Sequence, residues 1–303
     1  MNYSKDFSVI IPHRDSISTL KKLLKSIPVS DRIEVIVVDN SPTPINKESI
    51  DINREFLLLY SEPTRGAGGA RNVGIDKAIG KWLLFADADD YYTADAFDVF
   101  YSQVNVDAEI VFFGMGGIYI DTGERSDRGD TYTKLVRNFL EDEENETNIR
   151  LNFSSPCSKI IAIELINRHH IRFDEVVASN DVYFSLLTGF YAKTISAVDK
   201  IVYIATVSKG SLTRRRDYEV VKSRFIVSLR YNKFLKEHGH SGYQKSIMFF
   251  FTQSINFGLS KVLEFIKLLI LYKQNPFIGY KRWFKTYKSG KQRNKTEGKY
   301  ITY

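Results

Sequence analysis

Between residue 7 and about residue 115, short apolar runs alternate with segments of helical character, and this alternation constrains the fold more than any other feature. FSVIIP is followed by SISTLKKLLKSI, then come IEVIVVDN and FLLLY with GARNVGIDKAIG, and then KWLLFADADD and EIVFFGMG. Such a series builds a mostly parallel sheet with crossover helices. IEVIVV and WLLF are continuously apolar and rich in branched or aromatic residues, as central strands covered on both faces require. Ligand sites in these sheets lie beyond the carboxyl ends of the strands. The polar residues there are His13 and Arg14 after the first strand, Asp39 and Asn40 after the second, and Asp87, Asp89 and Asp90 after the fourth. They are expected to converge on one crevice.

FADADD sets three acids just beyond a buried strand, where desolvating them together is unfavourable unless a cation neutralises them. Mg2+ and Mn2+ prefer carboxylate and phosphate oxygens, and take only one or two protein carboxylates when substrate phosphates supply further ligands. Asp89 is the first choice as direct ligand, with Asp87 beside it. An isolated D-x-D reads more readily as an acidic turn before a helix starting near Thr93; its place after WLLF and the motifs around it favour the metal.

In RGAGGARNVGIDKAIG, Gly66, Gly68 and Gly69 are expected to let the backbone approach a ligand, and Arg71 offers a forked donor to phosphate or a base. The segment is not a dinucleotide fingerprint, because it follows the third strand and Gly69 is followed by Ala70 and Arg71. Nor is it a phosphate loop of the Walker type, because Gly74 is followed by Ile75 and Asp76.

In this order, SVIIP, the VVDN strand end, GARNVGIDKAIG and FADADD resemble the inverting family 2 glycosyltransferases of GT-A fold, over roughly residues 7 to 95. CSKIIAIELINRHHIRFDEVVASNDVYF resembles the acceptor side of that family, and KGSLTRRRD its G-S-x-T stretch. The resemblance implies a Rossmann-like α/β domain with Mn2+ or Mg2+ as cofactor. It places Pro12, His13 and Asp39 at the base and ribose of a nucleotide-sugar donor and Arg71 near the nucleotide. Asp87 and Ala88 would touch the donor, Asp87 and Asp89 would hold metal and diphosphate, and Asp181 would be the general base. The chain departs from the family pattern at Asn180, where an acid usually precedes the base, and at Asn40. Local sequence alone reads Asn180 or Asp181 as the cap of the helix VYFSLLTGF.

From about residue 217 the pattern becomes helical. Ile247, Phe251, Ile255, Leu259, Val262, Ile266 and Leu269 recur at spacings of three and four, which predicts one apolar helix face. The division expected is a catalytic domain over 1–215 and a basic helical extension over 216–303. Lys261, Glu264 and Lys267 interrupt the apolar stretch, so no transmembrane helix is expected. Of the formal net charge of +7, much lies at the end: from Lys273 to Tyr303 there are nine Lys or Arg against one acid, Glu297. That argues for a local basic patch rather than nucleic-acid binding. NPFIGYKRWFKTYKSGK interleaves aromatics with cations, which suits peripheral contact with an anionic membrane and equally suits helices capping the catalytic domain. Arg214, Arg215 and Arg216 read as a solvated turn or a diphosphate contact. The single cysteine, Cys157, and the absence of a leader-like apolar stretch at the start fit the cytoplasm, with the inner membrane face as a peripheral station.

The function expected is inverting transfer of a sugar from a nucleotide-diphosphate donor, UDP-based by resemblance, to a glycan or lipid-linked acceptor in surface polysaccharide synthesis. Two alternatives stand beside it. One is a metal-dependent nucleotidyltransferase, disfavoured by the lack of a lysine-rich glycine loop near the first strand. The other is a non-catalytic, membrane-associated nucleotide-sugar-binding protein.

Overall fold

The computed structural model describes residues 3–208 and 215–279. The KGSLT stretch, Arg214 and the basic segment from 280 onward lie outside the described residues. The chain divides into two compact units, Met1–Val176 with Asn180–Thr213, and Val177–Ser179 with Arg214–Tyr303.

The first unit is built on one eight-stranded sheet: β1 (Lys5–His13), β2 (Ile33–Asp39), β3 (Leu57–Tyr60), β4 (Gly80–Phe85), β5 (Tyr91–Tyr92), β6 (Ile110–Tyr119), β7 (Lys159–Ala162) and β8 (Ile195–Val207), in the order β3-β2-β1-β4-β7-β6-β8-β5. The pairs β1–β2, β1–β4, β2–β3 and β6–β8 are parallel. β4–β7, β6–β7 and β5–β8 are antiparallel. The EIVFFGMG run is therefore not the next parallel neighbour of β4. The short strand β7, drawn from CSKIIA, enters between them and makes the sheet mixed.

The continuous apolar runs are explained by cores on both faces. Along β1, β2 and β4, Val9, Val35, Val37, Trp82 and Leu84 pack into one core, and Ile10, Ile36, Val38, Leu83 and Phe85 into the other. Parallel pairing brings the strand ends level: His13 lies opposite Asp39, and Phe85 opposite Ile10. The helix Gly66–Lys77 packs on this sheet with so little clearance that a β-carbon at Gly74 would stand 2.4 Å from Ile10.

In the second unit the predicted single apolar helix is broken. A helix over Met248–Ser254 and a tight turn over Ile255–Phe257 end at Gly258, whose φ of +93° only glycine adopts readily. A new helix, Leu259–Leu271, then starts with its phase reset. Phe265 and Leu269 face inward, the former stacked on Phe225 at 4.5 Å, whereas Ile255, Leu259 and Ile266 of the expected face are exposed.

Candidate active site

The FADADD loop leaves β4 and enters β5, and β8 fastens it there. The Tyr203 hydroxyl accepts from the Asp87 backbone N–H at 2.9 Å and donates to the Asp90 carboxylate at 2.8 Å. The Thr206 backbone N–H donates to the other Asp90 oxygen at 2.7 Å, and the Thr206 hydroxyl donates to the Asp89 carbonyl at 2.9 Å. Both Asp90 oxygens are thus bound within the protein, and the side chain is buried. Burial and the neighbouring Asp89 and Asp87 carboxylates raise its carboxyl well above the usual range.

The other two acids are more accessible. Oxygens of Asp87, Asp89 and Asp90 lie within 4.8 Å of one another, with Asp87 half-buried and Asp89 exposed. Although one side of Asp89 meets solvent, desolvation by the protein behind it, with repulsion from Asp87, raises its carboxyl above the usual range. The cluster has two cationic neighbours. The Arg128 guanidinium has its charged form favoured by Asp90, Asp87 and Asp89, which outweigh its burial. Arg71 is the second.

Arg71 is buried, its guanidinium 5.2 Å from the Phe173 ring centroid. One terminal nitrogen donates to Asp87 and the other to Asn180 Oδ1 at 2.7 Å. Burial opposes its charge, and the Asp87 and Asp181 carboxylates more than offset that. The next residue, Asn72, clamps the segment around Phe173 by donating to the Phe173 carbonyl at 3.0 Å and accepting from the Phe173 N–H at 2.8 Å. Here the sequence reading needs correction: a β-carbon at Gly68 would meet the Asp174 carbonyl oxygen at 2.0 Å, and one at Gly69 the Arg65 side chain at 2.3 Å. These glycines admit neighbouring protein, not ligand.

Asp181 precedes the helix Val182–Tyr191, half-buried, and its side chain makes no capping hydrogen bond. The capping account therefore does not explain it. Its charge is felt by Arg71, Tyr132 and Lys159. Lys159, on β7, is buried, donates to the Phe153 carbonyl at 2.8 Å and lies over the Phe153 and Phe112 rings. Burial pushes its ammonium down to about 7, with Asp181 opposing.

At the ends of β1 and β2, His13 is fully buried. Its Nε2 accepts from the Ser16 N–H at 3.2 Å, which assigns the ring proton to Nδ1, facing Asp39 at 2.9 Å. Asp39 also accepts from the Ser41 hydroxyl at 2.6 Å and the Ile45 N–H at 3.0 Å. Burial would raise its carboxyl, but Ser41, His13 and the Ile45 N–H outweigh this and hold it below the usual range. Pro12 lies opposite Val38 in the same register, and Ala88 sits half-buried between Asp87 and Asp89.

The sequence model of glycosyl transferase family 2 matches residues 8–168. The chain belongs to that family. EpsH of Bacillus subtilis strain 168 is 25% identical to this family 2 member over 223 residues, covering 69% of this chain and 62% of EpsH. The poly(ribitol-phosphate) beta-N-acetylglucosaminyltransferase TarS of Staphylococcus aureus strain Mu50 is 26% identical over 218 residues, 67% of this chain and 36% of TarS. The alignments thus span less than two thirds of these relatives. A crystal structure of S. aureus TarS 1–349 in complex with UDP-GlcNAc superposes with TM-score 0.63 at 22% identity, covering 88% of this chain and 80% of that one. The mannosyltransferase PcManGT from Pyrobaculum calidifontis, in complex with GDP-Man and Mn2+, does so with TM-score 0.56 at 16% identity, covering 93% and 84%. At these identities the superpositions establish the GT-A fold alone.

Tyr203, Thr206, Asn72 and Arg128 were not singled out from the sequence. IVYIATV is a visible strand signal, but that its end would fasten the acid loop is a tertiary fact.

Proposed function

We propose that this family 2 member is an inverting glycosyltransferase that moves a sugar from a UDP-sugar to a hydroxyl of a glycan or lipid-linked acceptor in surface polysaccharide synthesis. The observation that carries the reading is the Arg71 fork, which ties Asp87 of the D-x-D loop to Asn180, the residue before Asp181. One buried guanidinium thereby links the donor side to the acceptor side.

In this reading Asp39, oriented by His13, and the backbone at Pro12 form the floor of the nucleoside pocket. Arg71 lies by the diphosphate, and Asp87 and Ala88 border the sugar. Asp181 takes the proton from the acceptor hydroxyl as that oxygen attacks the anomeric carbon. The new C–O bond forms opposite the breaking one, and the nucleoside diphosphate leaves with the electron pair, so the anomeric centre inverts. With Asp90 committed to Tyr203 and Thr206, Asp89 and Asp87 remain to hold Mn2+ or Mg2+, a donor set of one or two carboxylates that suits such an ion when phosphates complete its shell. The ion would supply charge neutralisation for the departing diphosphate. TarS with UDP-GlcNAc and PcManGT with GDP-Man and Mn2+ support a nucleotide-sugar donor and a divalent ion.

The catalytic role is assigned to residues 1–215. The basic extension, 216–303, is assigned to peripheral contact with an anionic membrane at its cytoplasmic face. Among the described residues no helix is long and apolar enough to cross a membrane.

A thermal-shift screen of UDP, GDP, CMP and TDP sugars, each with and without Mn2+, tests the donor reading. A UDP-sugar is expected to raise the melting temperature only with the metal. Indifference to every donor would sink it.

A further inference from the structure

From the second unit we infer that one face of the helix Leu259–Leu271 is the surface that embeds in an anionic lipid bilayer. Leu259, Leu263, Ile266 and Ile270 follow one another at intervals of four, three and four residues, which aligns them along one side of an α-helix. All four are exposed, Leu259 and Ile270 by 76% and 71%. The core of the unit uses another side of the same helix, through Phe265 and Leu269. A contiguous exposed row of four branched aliphatic residues is more than the scattered apolar surface of an ordinary soluble domain.

Charge decides the occupant. Beyond Glu237 the sequence holds twelve Lys or Arg and only two acids, Glu264 and Glu297. Glu264 is neutralised locally by Lys222 at 2.7 Å and Lys261 at 3.5 Å and accepts from the Tyr218 hydroxyl, which holds its carboxyl down to about 2. On this helix and just beyond it, the exposed charges are Lys267 and Lys273. An apolar stripe bordered by cations, on a helix too short to span, matches the chemistry of an interfacial helix on anionic lipid. A groove of about 590 Å³ between this helix and Met248–Ser254, lined by Phe251, Ile266, Ile270 and Phe277 among others, opens beside the stripe. Its lining is mostly apolar, as contact with acyl-chain segments requires.

The inference rests on the proposed membrane contact of the extension and names the face that makes it. The test is co-sedimentation of the full chain with vesicles of phosphatidylcholine, with and without phosphatidylglycerol. The variants are Leu259→Ser/Leu263→Ser/Ile270→Ser and, separately, Lys267→Gln/Lys273→Gln. The substituted leucines and isoleucine are exposed, so the melting temperature should hold. The triple variant should bind phosphatidylglycerol vesicles about ten-fold or more weakly, and the lysine variant should lose binding mainly at low salt. If the triple variant bound like the wild type, the membrane contact would stand and this face would be the wrong one. If the wild type bound no vesicles, both readings would fall. If the triple substitution instead converted a dimer to a monomer in analytical ultracentrifugation without changing vesicle binding, the stripe would belong to a second copy of this chain, which overturns the inference.

Discussion

Arg71 Nη1 donates to Asn180 Oδ1 at 2.7 Å across 109 positions of sequence, while its other terminal nitrogen holds Asp87. The guanidinium is buried and planar, and only a fork of this geometry can make both contacts at once. Arg71→Lys keeps the charge but reaches one partner at most. It is expected to lower the melting temperature by several degrees and transfer activity by at least ten-fold. A variant with wild-type melting and activity would show that the bridge has no role in either.

Asp181→Asn should spare donor binding and lower transfer by on the order of 10² to 10⁴, the usual contribution of a positioned general base. The Asp181 side chain makes no capping bond at its helix, but its charge favours the buried Arg71 guanidinium, so a modest loss of stability should accompany the loss of transfer. Donor binding by calorimetry beside a transfer assay separates the two effects. Full transfer by Asp181→Asn would remove this residue from the mechanism.

Asp89 and Asp90 are neighbours with opposite expectations. Asp89 is exposed, so Asp89→Ala should leave stability within about 0.5 kcal/mol and abolish metal-dependent donor binding. Asp90→Ala strands the buried Tyr203 hydroxyl and the Thr206 N–H, which should cost about 1–3 kcal/mol of stability. Urea unfolding of both variants, with Mn2+ titration followed by donor binding, checks the pair. Reversed outcomes would exchange their roles.

The contrast marks what was legible in the chain itself. Strand ends are legible because burial on both faces leaves an unbroken apolar run, and these runs end next to His13, Asp39 and Asp87. That Asp89 is exposed while Asp90 is bound by β8 depends on a strand more than a hundred residues later, and local pattern carries no trace of it. The same holds for Gly68, whose hydrogen makes room for the Asp174 carbonyl rather than a ligand. In the second unit, periodicity extended straight through Gly258, where a positive φ resets the helix and turns Leu259 and Ile266 outward.

Gly68→Ala is accordingly a packing test. Its β-carbon would stand 2.0 Å from a backbone oxygen, which no side-chain rotation relieves. A loss of about 1–3 kcal/mol is expected, with the Asn72 clamp on Phe173 disturbed and transfer reduced. Unchanged unfolding would mean that the helix Gly66–Lys77 sits farther from residue 174.

Lys159 carries a pH signature. Burial lowers its ammonium to about 7, against an ordinary value of 10.5 in the unfolded chain. Between those values the unfolded state binds more protons at this side chain than the folded state does, so its contribution to stability rises with pH from about 7 to about 10.5 and is least favourable below 7. Lys159→Met removes the titrating group and leaves a side chain of similar length among Phe112 and Phe153. Relative to the wild type, the variant should therefore gain most near pH 7 and lose that advantage toward pH 10, over a range on the order of a few kcal/mol. The loss of the bond to the Phe153 carbonyl acts at every pH and shifts the curve without changing its slope. Parallel stability curves for the two proteins across this window would show that Lys159 keeps an ordinary ammonium, with the Asp181 charge offsetting its burial in full.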